Sequence, residues 1–300
     1  HSQTVTDLLQ DEWAFEYHTF LHHSQTMVHD GRACSLPGQV PKVYTNMDQA
    51  IAYCRAKGPG WHCMTNAEYA AIALWCKANG YYPRGNNNYG SDHGYPHEKC
   101  RPGTVGSDGR INLGLTGSGP NSWTHDGTPN GIYGLNGDGW EWAIGLRTNN
   151  GEIQILTGNN AAKNTADLTA GSAEWKAILP DGTLVAPGTA GTLKIDIVSG
   201  VPKISTTVKT TTSGDQWPST PFKDLAVESG ITIPDILKAL AVFPSDNSDH
   251  GGDRFYARND GEKCFFRGGN WNNTSNAGVF YLNGNNPRSN SNDNIGFRPA

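Results

Sequence analysis

From Cys264 to Ala300 the chain reads CFFRGGNWNNTSNAGVFYLNGNNPRSNSNDNIGFRPA, with single apolar residues set into asparagine at strand period. No other stretch restricts the fold as much. On an extended strand, period two puts Phe280 and Leu282 on one face and Tyr281, Asn283 and Asn285 on the other. Asn270 and Asn272 flank Trp271 in the same way. Asparagine is a poor strand former, so a strand needed only for stability would carry Thr or Val outward. Low-complexity tracts are the common source of Asn-rich text, but they do not hold apolar anchors in register. The pattern predicts an anchored strand with an outward polar array, the design of a ligand-facing surface on a fixed scaffold.

Two blocks frame this stretch, Arg267-Gly268-Gly269 and Ile295-Gly296-Phe297-Arg298. A second marked segment is Asn136-Gly137-Asp138-Gly139-Trp140-Glu141-Trp142-Ala143-Ile144-Gly145-Leu146-Arg147, in which period two puts Trp140 and Trp142 on one face as packing residues. Glu141 between them is a candidate partner for an arginine of the C-terminal block. A third segment, WHCMTNAEYAAIALWC, holds a capping box at Thr65-Asn66-Ala67-Glu68. The helix it opens turns Tyr69, Ile72, Ala73 and Cys76 inward and stops at Gly80. An earlier helix is capped by Asn46, runs to Lys57 with Met47, Ile51 and Cys54 on one face, and stops at Gly58.

On these three segments the chain resembles the variable proteins of diversity-generating retroelements, which have a C-type lectin fold of the formylglycine-generating-enzyme (sulfatase-modifying factor) type. The resemblance implies an α+β, loop-rich, C-type lectin-like fold with two helices near the start, a small antiparallel sheet and an inserted β-rich segment. It implies a lectin-like domain over 38–300, an insertion at about 151–230 and a variable region at about 264–300; the N-terminal helical arm, 1–37, lies outside the resemblance and is read from its apolar spacing. In that family template adenines are mutated and Asn codons are favoured targets; Thr274, Ser275, Tyr281 and Gly284 are each reachable from one.

By the same resemblance the chain is a binding protein for varied macromolecular ligands, protein or other, on a virion (phage tail) or a bacterial cell surface, or secreted. The binding face would comprise Asn270, Asn272, Asn273, Thr274, Ser275, Tyr281, Asn283, Gly284, Asn285, Asn286, Asn290 and Asn292. Its scaffold would be Arg267, Gly268, Gly269, Trp271, Phe280, Leu282, Gly296, Phe297, Arg298, Trp140 and Trp142. Short polar side chains around an aromatic are paratope chemistry. An alternative is a formylglycine-generating-type oxidase or related metalloenzyme. That oxidase places its cysteines just after the RGG block, where this chain reads Asn270-Trp271-Asn272-Asn273-Thr274, and no histidine follows His250. The expectation is therefore no enzyme, no catalytic residue, no catalytic metal and no cofactor, with a structural calcium left open. A fixed structural or adhesion module is the remaining alternative. Trp271-Asn272-Asn273 and Asn286-Pro287-Arg288 fall short of the calcium-dependent sugar motifs, so calcium-dependent sugar binding is not expected.

Composition narrows the partners. The net charge is −5 with no basic stripe, which argues against nucleic acid. No apolar run approaches the ~18 residues of a membrane helix. Six cysteines, Cys34, Cys54, Cys63, Cys76, Cys100 and Cys264, would permit disulfides, but Cys54 and Cys76 fall on apolar helix faces and read as buried thiols.

Several further expectations follow in chain order. Residues 1 to about 30 read as helical, with His18, His22 and His23 clustered as surface histidines, and the segment as an oligomerisation or attachment arm. Val40–Tyr44 reads as a short strand. In the long loops of 81–139, Asp92, His93, His97, Glu98 and Asp126 match no metal spacing and read as turn chemistry. Strands are expected at Ile153–Leu156, Trp175–Leu179 and Leu193–Ile197, and a helix after Pro234.

Overall fold

The computed structural model describes residues 25–300. The helical arm expected over 1–37, with its histidine cluster, lies outside the described residues as far as residue 24. From there it is not helical: β1 (Met27–His29) and β2 (Arg32–Cys34) form a hairpin. Its tip is Asp30-Gly31, both at positive φ (49° and 71°), the backbone that a two-residue turn between twisted strands requires.

α1 (Met47–Arg55) starts at a complete capping box, in which the Asn46 side chain accepts from Gln49 N and the Gln49 side chain accepts from Asn46 N. α2 (Asn66–Ala78) starts at the Thr65–Glu68 box in the same way. The buried residues of α1 are Met47, Ala50, Ile51 and Cys54, and those of α2 include Tyr69, Ile72, Ala73 and Cys76, the faces that helical periodicity picked out. Val40–Tyr44 is not a strand; Val40 and Tyr44 are exposed, and Tyr44 takes φ 54°. Pro234 caps a short α3 (Asp235–Ala239).

The sheet corrects the expected fold class. The remaining strands are β3 (Trp140–Asn149), β4 (Glu152–Leu156), β5 (Trp175–Ile178), β6 (Leu184–Val185), β7 (Lys194–Val198), β8 (Val201–Ser205), β9 (Ser219–Pro221), β10 (Ala226–Val227), β11 (Arg254–Ala257), β12 (Glu262–Gly268), β13 (Gly278–Asn286) and β14 (Ile295–Gly296). All of them join one 12-stranded mixed sheet, with the path β10-β8-β7-β4-β3-β12-β13-β11-β9. The chain is mostly β, and the α+β, C-type lectin-like arrangement with a small antiparallel sheet does not describe it. The physical reason is β3. This ten-residue strand pairs antiparallel with β12 on one side and with β4 on the other. The strands expected as a separate insertion therefore extend the same hydrogen-bonded sheet through β4, β7 and β8.

Two apolar clusters cover the two faces. On one, α2 packs its Tyr69, Ile72 and Ala73 with Phe255, Phe265, Phe280 and Leu282. On the other, α1 packs Met47, Ile51 and Cys54 with Trp142, Cys264 and Phe266. The second cover spans β3 and β12 and stops short of β13 and β11, whose polar side chains lie on that uncovered part.

Candidate functional site

β13 is the central element. Its Phe280 and Leu282 enter the α2-side core, so period two turns Tyr281, Asn283 and Asn285 to the opposite face. On that face lies an open groove of about 1010 Å³. Tyr281, Asn283 and Asn285 line it together with Tyr256 of the neighbouring parallel strand β11. The 287–294 loop, with Asn290 and Asn292, walls it, and Arg258, Asp260, Lys263 and Trp217 also line it.

The expected polar array is thus recessed rather than outward. Tyr281 is 1 %, Asn283 5 %, Asn285 4 % and Asn286 8 % exposed, in a groove that residues of the 287–294 loop also line. These side chains interlock. Asn283 Nδ2 donates to Tyr281 Oη at 3.0 Å, Asn285 N donates to Asn283 Oδ1 at 3.0 Å, and Asn290 Nδ2 donates to Asn286 Oδ1 at 2.7 Å. Asn285 Oδ1 is buried with no hydrogen-bond partner, an arrangement that costs free energy unless something fills it. Burial also pushes the Tyr281 hydroxyl above its ordinary pKa, so it stays protonated.

The structure brings together Asn273, Tyr281, Asn283, Asn285, Asn286, Asn290 and Asn292 of the expected face, and leaves out the others. Asn272, Thr274 and Ser275 are exposed on the turn that adjoins Asn273. Asn270 is 1 % exposed, and its Oδ1 accepts from Asn272 N, so it braces that turn. Gly284 faces the core: a Cβ there would stand 2.4 Å from the Phe265 ring. Asn273 works in both ways. It lines the groove, and its Oδ1 accepts from Asn270 N at 2.9 Å and Trp140 Nε1 at 3.1 Å.

The expected scaffold residues are built in beneath. Trp140 stacks on Phe266 with ring centroids 5.7 Å apart, and Trp142 meets the same ring at 4.2 Å; Trp140 also lines the groove. Trp271 is buried and hydrogen-bonds through its backbone to Asp138 O and Tyr89 N. Arg267 is fully buried and reaches Asn66 Oδ1 and the carbonyls of Leu240 and Ala241, so the RGG block ties β12 to the start of α2. Gly268 and Gly269 both take φ 84°, and a Cβ on Gly269 would stand 2.5 Å from that of Ala277. Gly296 pairs with Glu141 in the parallel β14–β3 ladder, and Phe297 stacks on Tyr53. Arg298 and Glu141 form a buried ion pair, Nη2–Oε1 at 2.9 Å and Nε–Oε2 at 3.1 Å, the pairing expected from the position of Glu141 between the two tryptophans.

Sequence reasoning missed Tyr256, Trp217, Arg258, Asp260 and Lys263 at the groove. Trp217 is 56 % exposed there; its signal was a lone large aromatic in the polar run TTTSGDQWPST. Arg258, Asp260 and Lys263 form one charged cluster: Arg258 holds both carboxylate oxygens of Asp260 at 2.9 and 3.1 Å, and Lys263 Nζ lies 3.2 Å from one of them. Burial alone would raise the Asp260 pKa, but hydrogen bonds from Arg258, Thr212 and Lys263 outweigh it and hold the carboxyl far below the usual range.

Arg288, just beyond the groove, fixes the wall. It donates to Glu262 at 2.9 Å, to Asp48 at 2.8 Å and to Leu168 O at 2.8 Å. It is the single large side chain between Asn283 and Asn294, which was its signal.

Elsewhere, the loop acids are spent on turns. Asp92 accepts from Gly94 N and Asn87 Nδ2, Glu98 from Ser122 Oγ and Trp123 Nε1, and Asp126 from Thr128 N and Oγ1. Among the described residues no group of three or more His, Cys, Asp or Glu could hold a metal ion. All six cysteines are free, and burial pushes the thiols of Cys76, Cys100 and Cys264 up to about 12. No helix among the described residues is long and apolar enough to cross a membrane. No protein-family model and no curated protein matches this chain.

Proposed function

We propose that this chain is a ligand-binding protein whose groove over β13 receives a macromolecular ligand, and that the groove-lining asparagines are positions of sequence diversification. The observation that carries the reading is the convergence of Asn273, Tyr281, Asn283, Asn285, Asn286, Asn290 and Asn292 on one concavity, far apart in role from the apolar residues that alternate with them. The aromatic and arginine content of the lining, with Trp140, Trp217, Tyr256, Tyr281 and Arg258, is the composition of interaction hot spots. The resemblance of residues 264–300 to retroelement variable regions supports diversification.

Thr274 adds a local argument. It takes φ 51°, a left-handed conformation that Asn adopts more readily than a β-branched residue. A threonine there is understandable as a replacement for asparagine that was not selected for backbone fit. The setting proposed is a phage tail or a bacterial surface, where several copies would add avidity to modest single-site affinity.

Population sequencing of the coding region tests the proposal. Replacements concentrated at Asn272, Tyr281, Asn283, Asn285, Asn286, Asn290 and Asn292, sparing Trp271, Phe280, Leu282 and Gly284, are expected. A uniform region, or changes spread evenly over the chain, would overturn diversification.

A further inference from the structure

The groove has directional features that narrow its ligand. We infer that it takes an extended acidic polypeptide segment of a partner protein, an inference that rests on the ligand-binding reading above. Tyr281, Asn283 and Asn285 stand on one face of a strand, so their side chains repeat at about 6.8 Å. An extended polypeptide lying along β13 presents its own peptide groups at the same repeat. A primary amide offers a donor and an acceptor side by side, the complement of a peptide group.

Asn285 Oδ1 is an acceptor without a partner on a side chain only 4 % exposed. Asn283 uses Nδ2 once and Oδ1 once, which leaves one further donor on Nδ2 and one further acceptor site on Oδ1. Asn285 Oδ1 is closed off from solvent, so a backbone C=O is the acceptor an extended segment would bring, to Asn285 Nδ2.

The chain as a whole carries −5, yet the groove lining holds two cations, Arg258 and Lys263, against one carboxylate, Asp260. Both cations share that carboxylate, so this end of the groove keeps a net positive charge for an acidic side chain. Trp217 also lines the groove and offers an exposed ring for an apolar side chain.

The test uses the full chain, immobilised, and two probes: a random linear peptide library and a panel of neutral and acidic glycans. Enriched peptides are expected to be rich in Asp and Glu. Their affinity is expected to fall by about tenfold or more in Trp217→Ala, which removes an exposed side chain, and in Asn292→Asp, which adds a negative charge at an exposed position of the groove lining. Thermal unfolding of both variants, with unfolding temperatures near that of the parent, separates lost binding from lost fold. Peptides without acidic bias, or binding indifferent to both substitutions, would overturn the inference. Glycans captured in place of peptides, with the same sensitivity to Trp217→Ala, would also overturn it while leaving the groove as a binding site. Capture of neither probe overturns the peptide class, and the sequencing test then decides the broader reading independently.

Discussion

Glu141 and Arg298 join the middle of the molecule to its last residues through two hydrogen bonds, at 2.9 and 3.1 Å, with both side chains out of reach of solvent. The arginine also donates to the carbonyls of Tyr133 and Gly134, so it closes the C-terminal segment over β3. Removing one partner of such a pair strands a buried charge. Glu141→Gln is expected to cost about 3–5 kcal/mol, and the Glu141→Gln/Arg298→Met double variant less than the sum of the two single changes. Urea unfolding of the three variants measures this; additive losses would show that the pair is not coupled.

Gly284 and Asn285 are neighbours with opposite demands. Alanine at 284 would drive a Cβ to 2.4 Å from Phe265, and Gly284→Ala is expected to destabilise by about 1–3 kcal/mol. Asn285→Ala deletes a buried acceptor that has no partner and is expected to be neutral or mildly stabilising. Denaturation midpoints of the two variants distinguish scaffold from groove, and equal losses would remove that distinction.

At Thr274 the backbone is in the left-handed region, and its side chain is exposed. Thr274→Asn relieves the β-branched clash there and is expected to stabilise by about 1 kcal/mol. A thermal shift of the opposite sign would count against the view that the turn is shaped for asparagine.

The faces of β13 were legible because alternation of Phe280, Leu282 and the asparagines depends on strand geometry alone. The two helices were legible for a similar reason: each carries its stop and start chemistry within a few residues. The extent of the sheet was not, because pairing of β3 with β4 and β12 is a long-range choice that no local period records. Nor was the depth of the groove. Whether Asn283 stands proud or lies at a floor depends on how high the 287–294 loop is held, and that follows from a contact between Arg288 and residues more than a hundred positions away. Gly284 was assigned to the polar face although it shares the parity of Phe280 and Leu282; its lack of a side chain reflects the Phe265 ring above it.

Asp138 supplies a pH dependence. It is half-buried at the end of the loop before β3, accepts from Gly114 N at 2.7 Å and Asn86 Nδ2 at 2.8 Å, and desolvation raises its pKa to about 6. A carboxyl raised on folding binds a proton in the native state that the unfolded chain has already lost between pH 4 and 6. Its contribution to stability therefore falls as pH rises through that window, by about 3 kcal/mol in all. Asp138→Asn keeps an oxygen for both donors and tolerates the local φ of 67°. Relative to the parent, this variant is expected to gain stability from pH 4 to pH 7, as read from urea unfolding at several pH values. A difference that does not change with pH would mean that Asp138 does not titrate in this window.

Arg288 accounts for the groove's wall, so its loss has a local signature. Its three side-chain contacts, to Glu262, Asp48 and Leu168 O, together with the backbone bond from Met47 N to its carbonyl, hold the 287–294 loop against α1 and β12. Arg288→Gln shortens the reach and removes the charge, and it is expected to cost about 1–3 kcal/mol. The larger effect is local opening. Amide exchange should speed up at Asn290 and Ile295, whose N–H groups bond to Pro287 O and Asn292 O, while the β12–β13 ladder keeps its protection. If the loop and the ladder lose protection together, Arg288 supports the whole sheet. If neither changes, the wall is held by its backbone contacts alone, and the asparagines at 290 and 292 owe their position to those instead.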